Sequence, residues 1–155
     1  MAEPEYAWAG ARALVTLHAR SLEEFLEVWK RADAADLALP ETKDRSYASR
    51  ETLLVHVMSC AAGYLTWICE NLELPSPQLE MRPEVEGFAA RADEYMREVL
   101  AAWDTSLRTV REEQADRPTY LSRWGTPYSI DAMLEHAVMH PVRHSFQLRG
   151  LMDRR

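Results

Sequence analysis

Three of the chain's five histidines, His136, His140 and His144, recur at every fourth position in the stretch from Glu135 to Leu148. On a helix, residues four apart lie one turn above each other, so neighbouring imidazoles can close on one metal ion. Each step of four also turns the side chain by roughly 40°, which separates His136 from His144 by roughly 80°. The apolar stripe of the stretch reads Ile130, Met133, Ala137, His140, His144, Leu148 and Leu151. His140 and His144 therefore stand where core leucines are expected, and His136 lies at the stripe's edge. Two inward imidazoles call for a shared partner, because burying them unpaired is costly. A helical His-x3-His also fits histidines satisfied by ordinary hydrogen bonds. A third ligand on another helix separates the two cases.

The elements that would carry such a site follow from periodicity and capping. Residues 1–20 are ambiguous, with Ala11 to Leu17 readable as a short strand or a first helical stretch. Ser21-Leu22-Glu23-Glu24 has the form of a capping box, followed by Phe25, Leu26, Val28 and Trp29 at helical spacing, which predicts a helix ending near Ala34 or Ala35. His18 falls outside any motif and reads as a surface or hinge residue. A polar loop over 39–49 leads to Ser49, the N-cap of a second helix over about 50–72 with His56 on the border of its buried face. After a Pro-rich crossing, Pro83 opens a third helix running to about Gln114. Breakers over 115–128 predict an irregular connection or small hairpin. Ser129 then caps a last helix reaching about Met152.

Four long helical segments in one small domain over 1–155, with a core at about 21–152, predict an all-α four-helix bundle with a long crossover connection. That topology can bring His56 beside His140 and His144.

At 155 residues the chain can bury a self-sufficient core, and 47% hydrophobic with 28% charged residues excludes a disordered chain. A net charge of −7 exerts no global pull on nucleic acid or anionic membrane. Cys60 and Cys69 are separated by roughly 13 Å of helix axis, too far for a mutual disulfide, and free thiols fit a reducing cytoplasm. The acidic start Met-Ala-Glu-Pro-Glu-Tyr lacks the profile of a signal peptide. The uncharged run from Thr52 to Cys69 contains His56, Ser59, Gly63 and Thr66 and reads as a buried helix, not a membrane span. The expectation is a soluble cytoplasmic protein.

Leu53-Leu54-Val55-His56 opening the second helix, a Trp-Gly segment before the last one, and His140-x3-His144-x2-Gln147 within it resemble the DinB/YfiT-like superfamily of four-helix-bundle metalloenzymes. The resemblance covers about residues 21–152. It implies a divalent metal, zinc or nickel, on His56, His140 and His144, with His136 as an additional histidine one turn earlier. Two departures stand out. The family's His-Arg-x-Gln is His144-Ser145-Phe146-Gln147 here, and Pro141 sits between two of the ligands, where it removes a backbone donor and should bend the helix.

Three imidazoles leave an open coordination position, the layout of a catalytic site. It can hold water or deprotonate a thiol. Family members of known activity resemble transferases or isomerases that use low-molecular-weight thiols, which implies a transferase-type reaction on a small-molecule substrate. A metal-dependent hydrolase and a non-enzymatic dimeric or stress-related bundle are the alternatives. Homodimers are common in the family, but no interface is legible here. Gln147 is placed to bond a ligand or substrate, or else is a polar helix residue. Cys60, one turn from His56, is a second candidate near the metal, although small buried cysteines are commoner. Trp67 walls a pocket or fills the core, and Trp124 and Tyr128 form a lid or anchor a loop. Glu135 and Arg143 are expected to point away from the site.

Overall fold

Helix formation in this chain is set by apolar stripes at helical spacing, with serine caps at the starts of two of the four long helices. A computed structural model of the protein describes residues 5–154. It contains α1 (Ala9–Ala34), α2 (Arg50–Asn71), α3 (Ala92–Leu107), a one-turn α4 (Glu112–Ala115), the strands β1 (Thr119–Leu121) and β2 (Pro127–Ser129), and α5 (Ile130–Asp153). Single 3-10 turns lie at Arg45–Tyr47 and Phe88–Arg91. The protein is thus of the all-α class, with one small antiparallel hairpin pairing Tyr120 with Tyr128. The acidic start read above lies partly outside the described residues, as does Arg155.

The four long helices share one core. The buried stripe of α1 is Ala11, Val15, His18, Leu22, Phe25, Trp29 and Ala32, the alternating three-and-four spacing of one helix face. It packs against α5 and α3, while α2 packs against α3, α5 and α1. Helix α2 is buried on most of its circumference, through Leu53, Leu54, Val57, Met58, Ala61, Leu65 and Ile68. By length and composition α2 could cross a membrane, yet 61% of its apolar window is buried within the protein. Two indoles tie it in place. Trp29 Nε1 donates to the Arg50 carbonyl at 2.7 Å and Trp103 Nε1 to the Ala61 carbonyl at 3.0 Å.

Three expectations need correction. The first helix starts at Ala9, and its buried face begins at Ala11, not near residue 21. Ser21 is therefore not an N-cap; it sits inside the helix, where its hydroxyl donates to the His18 carbonyl at 2.9 Å. His18 is neither at the surface nor at a hinge: it is fully buried and stacked on Trp103 at 4.0 Å. The third helix does not begin at Pro83 or reach Gln114. It spans Ala92–Leu107, because the Arg108 carbonyl is taken by the Ala7 amide at 2.8 Å and the chain turns at Val110 before α4. The crossing between α2 and α3 is held by Tyr95, whose hydroxyl donates to the Glu80 carbonyl at 2.6 Å.

The expected caps of α2 and α5 are present: Ser49 Oγ accepts from the Thr52 amide at 3.0 Å, and Ser129 Oγ from the Ala132 amide at 3.1 Å. In the hairpin turn Gly125 takes φ 86°, a backbone that an L side chain disfavours. Its amide donates to the Ser122 carbonyl at 3.0 Å, which closes the turn.

Candidate metal centre

Two helix starts fix the site. The entry to α2 is clamped onto the end of α1 by Arg50, which reaches Asp33 at 2.7 Å, Asp36 at 3.0 Å and the Leu37 carbonyl at 2.9 Å. His56 follows less than two turns later. On the other side α5 runs without interruption through Pro141 and carries His140 and His144 inward, one turn apart.

His56, His140 and His144 each place one ligand nitrogen within 4.8 Å of the others. His56 Nε2 and His140 Nε2 are 3.2 Å apart. The ring centroids are 5.0, 5.5 and 4.8 Å apart, with interplanar angles of 66°, 89° and 82°. Rings so inclined meet edge-on about one point instead of stacking.

The outer nitrogens are partly engaged. The Tyr47 hydroxyl donates to the Gln147 side-chain oxygen and lies 3.1 Å from His144 Nδ1. A hydroxyl that donates to an amide oxygen can still accept, which suits the His144 tautomer with its proton on Nδ1 and its Nε2 lone pair free. That Nε2 is buried and has no hydrogen-bond partner. His56 Nδ1 lies 3.8 Å from Cys60 Sγ. His140 Nδ1 is likewise buried and unpartnered. A buried nitrogen with no partner, beside two further inward nitrogens, is a donor set suited to a metal ion. These three residues could hold a metal.

Electrostatics favour the unprotonated ligands. Burial lowers the pKa of His140 to about 2 and of His144 to about 4, with neighbouring histidines and Arg143 acting in the same direction. Burial also lowers that of His56, against a weaker opposing pull from Asp44. All three are neutral near pH 7, so a metal would displace no proton from them.

The triad opens into a cavity of about 530 Å³ walled by Cys60, Gly63, Tyr64, Trp67, Trp124 and Met133, among others. Trp67 serves both expected roles, buried in the core and lining the cavity while Nε1 donates to the Leu121 carbonyl at 3.0 Å. His136 lies in the same cavity but not in the triad. Its Nε2 is 3.3 Å from the Tyr64 hydroxyl, and Tyr64, Trp124 and Tyr128 surround its ring at 5.2, 5.2 and 5.7 Å. The hairpin aromatics thus cover one flank of the cavity. Cys60 is half-buried with a free thiol whose pKa burial raises. Glu135 is exposed, as expected. Arg143 is not directed away: it lines the cavity, and its charge bears on all three triad histidines.

Tyr47, Tyr64, Arg123 and Asp44 were not singled out from sequence. Tyr47 lies in a polar loop with no periodicity to read, and its one signal is an aromatic residue close before the helix of His56. Comparison with protein-family models, curated proteins and solved structures finds no significant match to this chain.

Proposed function

We propose that this chain is a DinB/YfiT-like four-helix-bundle metalloenzyme, holding a divalent ion on His56, His140 and His144 and using it to activate a small thiol for transfer to an electrophile. The observation that carries the metal reading is the buried, unpartnered Nε2 of His144 beside the 3.2 Å pair of His56 and His140 nitrogens. The thiol reading rests on the resemblance of His56 and His140-x3-His144-x2-Gln147 to that family. A cavity of this size that reaches the three ligands suits a small molecule.

A divalent ion at this position would supply Lewis acidity, stabilising a thiolate at neutral pH. The chain supplies the rest. Three neutral imidazoles present lone pairs without prior deprotonation. Tyr47 and Gln147 hold the His144 tautomer, the role that outer hydrogen bonds play for metal-bound histidines. His136, the cavity histidine outside the triad, is placed to take the proton as the S–H bond breaks; the sulfur's electron pair forms the new bond while the electrophile's leaving group departs with the electrons of the bond it loses. The side chains of Tyr64, Trp67 and Trp124 line the space in which the thiol would react.

The deciding experiment is the metal content of protein purified without a histidine tag, beside His56→Ala and His140→Ala. Near-stoichiometric metal in wild type, lost in both variants, is expected. Absence of metal from wild type after dialysis against zinc or nickel would refute the site.

A further inference from the structure

The cavity carries a charge pattern that holding a metal does not require. Arg143, between the two α5 ligands, and Arg123, from the hairpin turn, both line it. Neither has an ion-pair partner among the described residues, although acidic groups outnumber Lys and Arg by 25 to 18 in the chain. Arg50, Arg91, Arg108 and Arg149 each have a carboxylate partner elsewhere. The one carboxylate lining the cavity, Asp44, is committed to its own turn, accepting from the Ser46 amide at 3.0 Å and its hydroxyl at 2.7 Å.

Two arginines against one aspartate make the fixed charge of the cavity positive, and a divalent ion would make it more so. Gly63 adds a second element to this arrangement. A Cβ there would meet Arg123 Nη1 at 3.4 Å, an ordinary contact, which places the guanidinium beside the α2 wall of the cavity. Two guanidinium groups from different elements, both solvent-exposed and both lining the cavity, offer planar donors and positive charge suited to an oxyanion.

We infer that the cavity takes a small molecule bearing an anionic oxygen group, a carboxylate or a phosphate, which Arg123 and Arg143 bind beside the histidine triad. This rests on the reading of the cavity as a substrate site, and not on the identity of the metal or the reaction.

The test titrates metal-free protein with benzoate, phenyl phosphate and neutral benzyl alcohol by calorimetry, in wild type, Arg123→Gln/Arg143→Gln and Arg97→Gln. Arg97 is exposed on α3, away from the cavity. At least one anion should bind about tenfold or more tightly than the alcohol, a difference of about 1.4 kcal/mol. The preference should collapse in the double variant and persist in Arg97→Gln; the ranking of the two anions tells carboxylate from phosphate. Zinc-loaded protein should likewise prefer 3-mercaptopropionate to 3-mercaptopropanol. Equal affinity for anions and alcohol, or a preference that survives the double substitution, overturns the proposal. Metal content, measured on the same samples, keeps the two readings apart: failure to hold zinc with the anion preference intact counts against the metal alone.

Discussion

The Tyr47 hydroxyl stands 3.1 Å from Nδ1 of His144, across 97 positions of sequence, and donates its hydrogen bond to the Gln147 side-chain oxygen. The turn before α2 is thus placed to set which nitrogen of an α5 residue is free. Removing that hydroxyl leaves the ring in place and releases the tautomer. Tyr47→Phe should weaken zinc affinity by about 10- to 100-fold with the helical circular dichroism unchanged. Gln147→Leu, one bond further out, should weaken it less. Competition against a chromophoric chelator measures both, and an unchanged affinity in Tyr47→Phe would remove the tyrosine from the site.

On the proposed metal reading, the triad trades stability for binding. In metal-free protein, His140 and His144 each bury a nitrogen that has no partner, and each such atom costs about 1–3 kcal/mol. Met and Leu are close in size to the imidazole and carry no polar atom. Metal-free His140→Leu should therefore unfold at higher urea concentration than metal-free wild type. With zinc at about 100 times its dissociation constant the order should reverse, since wild type gains about 2.7 kcal/mol and the variant gains nothing. A variant less stable than metal-free wild type would mean that His140 is held by contacts of its own.

Much of this was legible in the order of residues, for reasons specific to each. His140 and His144 were readable as inward because they interrupt a leucine stripe at helical spacing, and the long segment kept its register through Pro141. His56 was readable only as a helix position; its 3.2 Å approach to His140 depends on how α2 meets α5. Arg143 misled because a helical angle places the Cα and not the end of a long, flexible side chain. Tyr47 had no period to betray it. The early start of α1 was in fact visible in Ala11, Val15, His18 and Leu22, but the Ser21-x-x-Glu24 pattern competed with it. The tertiary contact of Ala7 with Arg108, which ends α3, has no local signal at all.

Gly63 is placed to tell the proposed metal site from the proposed substrate cavity. It lies on α2 in a cavity wall, with no contact closer than the 3.4 Å to Arg123. Gly63→Ala should raise stability by about 0.5–1 kcal/mol through helix propensity. Gly63→Leu should fill the cavity and abolish binding of benzoate or a thiol while zinc content stays at the wild-type level. Loss of zinc in Gly63→Leu would show that the cavity and the triad are not separable.

His18 predicts the acid limb of the stability curve. It is fully buried against Trp103, neither ring nitrogen has a partner, and burial lowers its pKa from 6.5 to about 3. The folded protein therefore binds fewer protons at this position than the unfolded chain between those two values. Stability attached to His18 is complete above about pH 6.5 and falls as pH drops, by up to about 1.4 kcal/mol per unit, until the folded state also protonates near pH 3. His18→Phe keeps an aromatic ring against the indole and removes both orphan nitrogens. Urea denaturation of the metal-free proteins at pH 7 and pH 5 checks this. The variant should be the more stable at pH 7, and its advantage should widen at pH 5. An advantage that stays constant between the two pH values would mean that His18 takes up a proton in the folded state as readily as in the unfolded one, which a fully buried imidazole without partners cannot do.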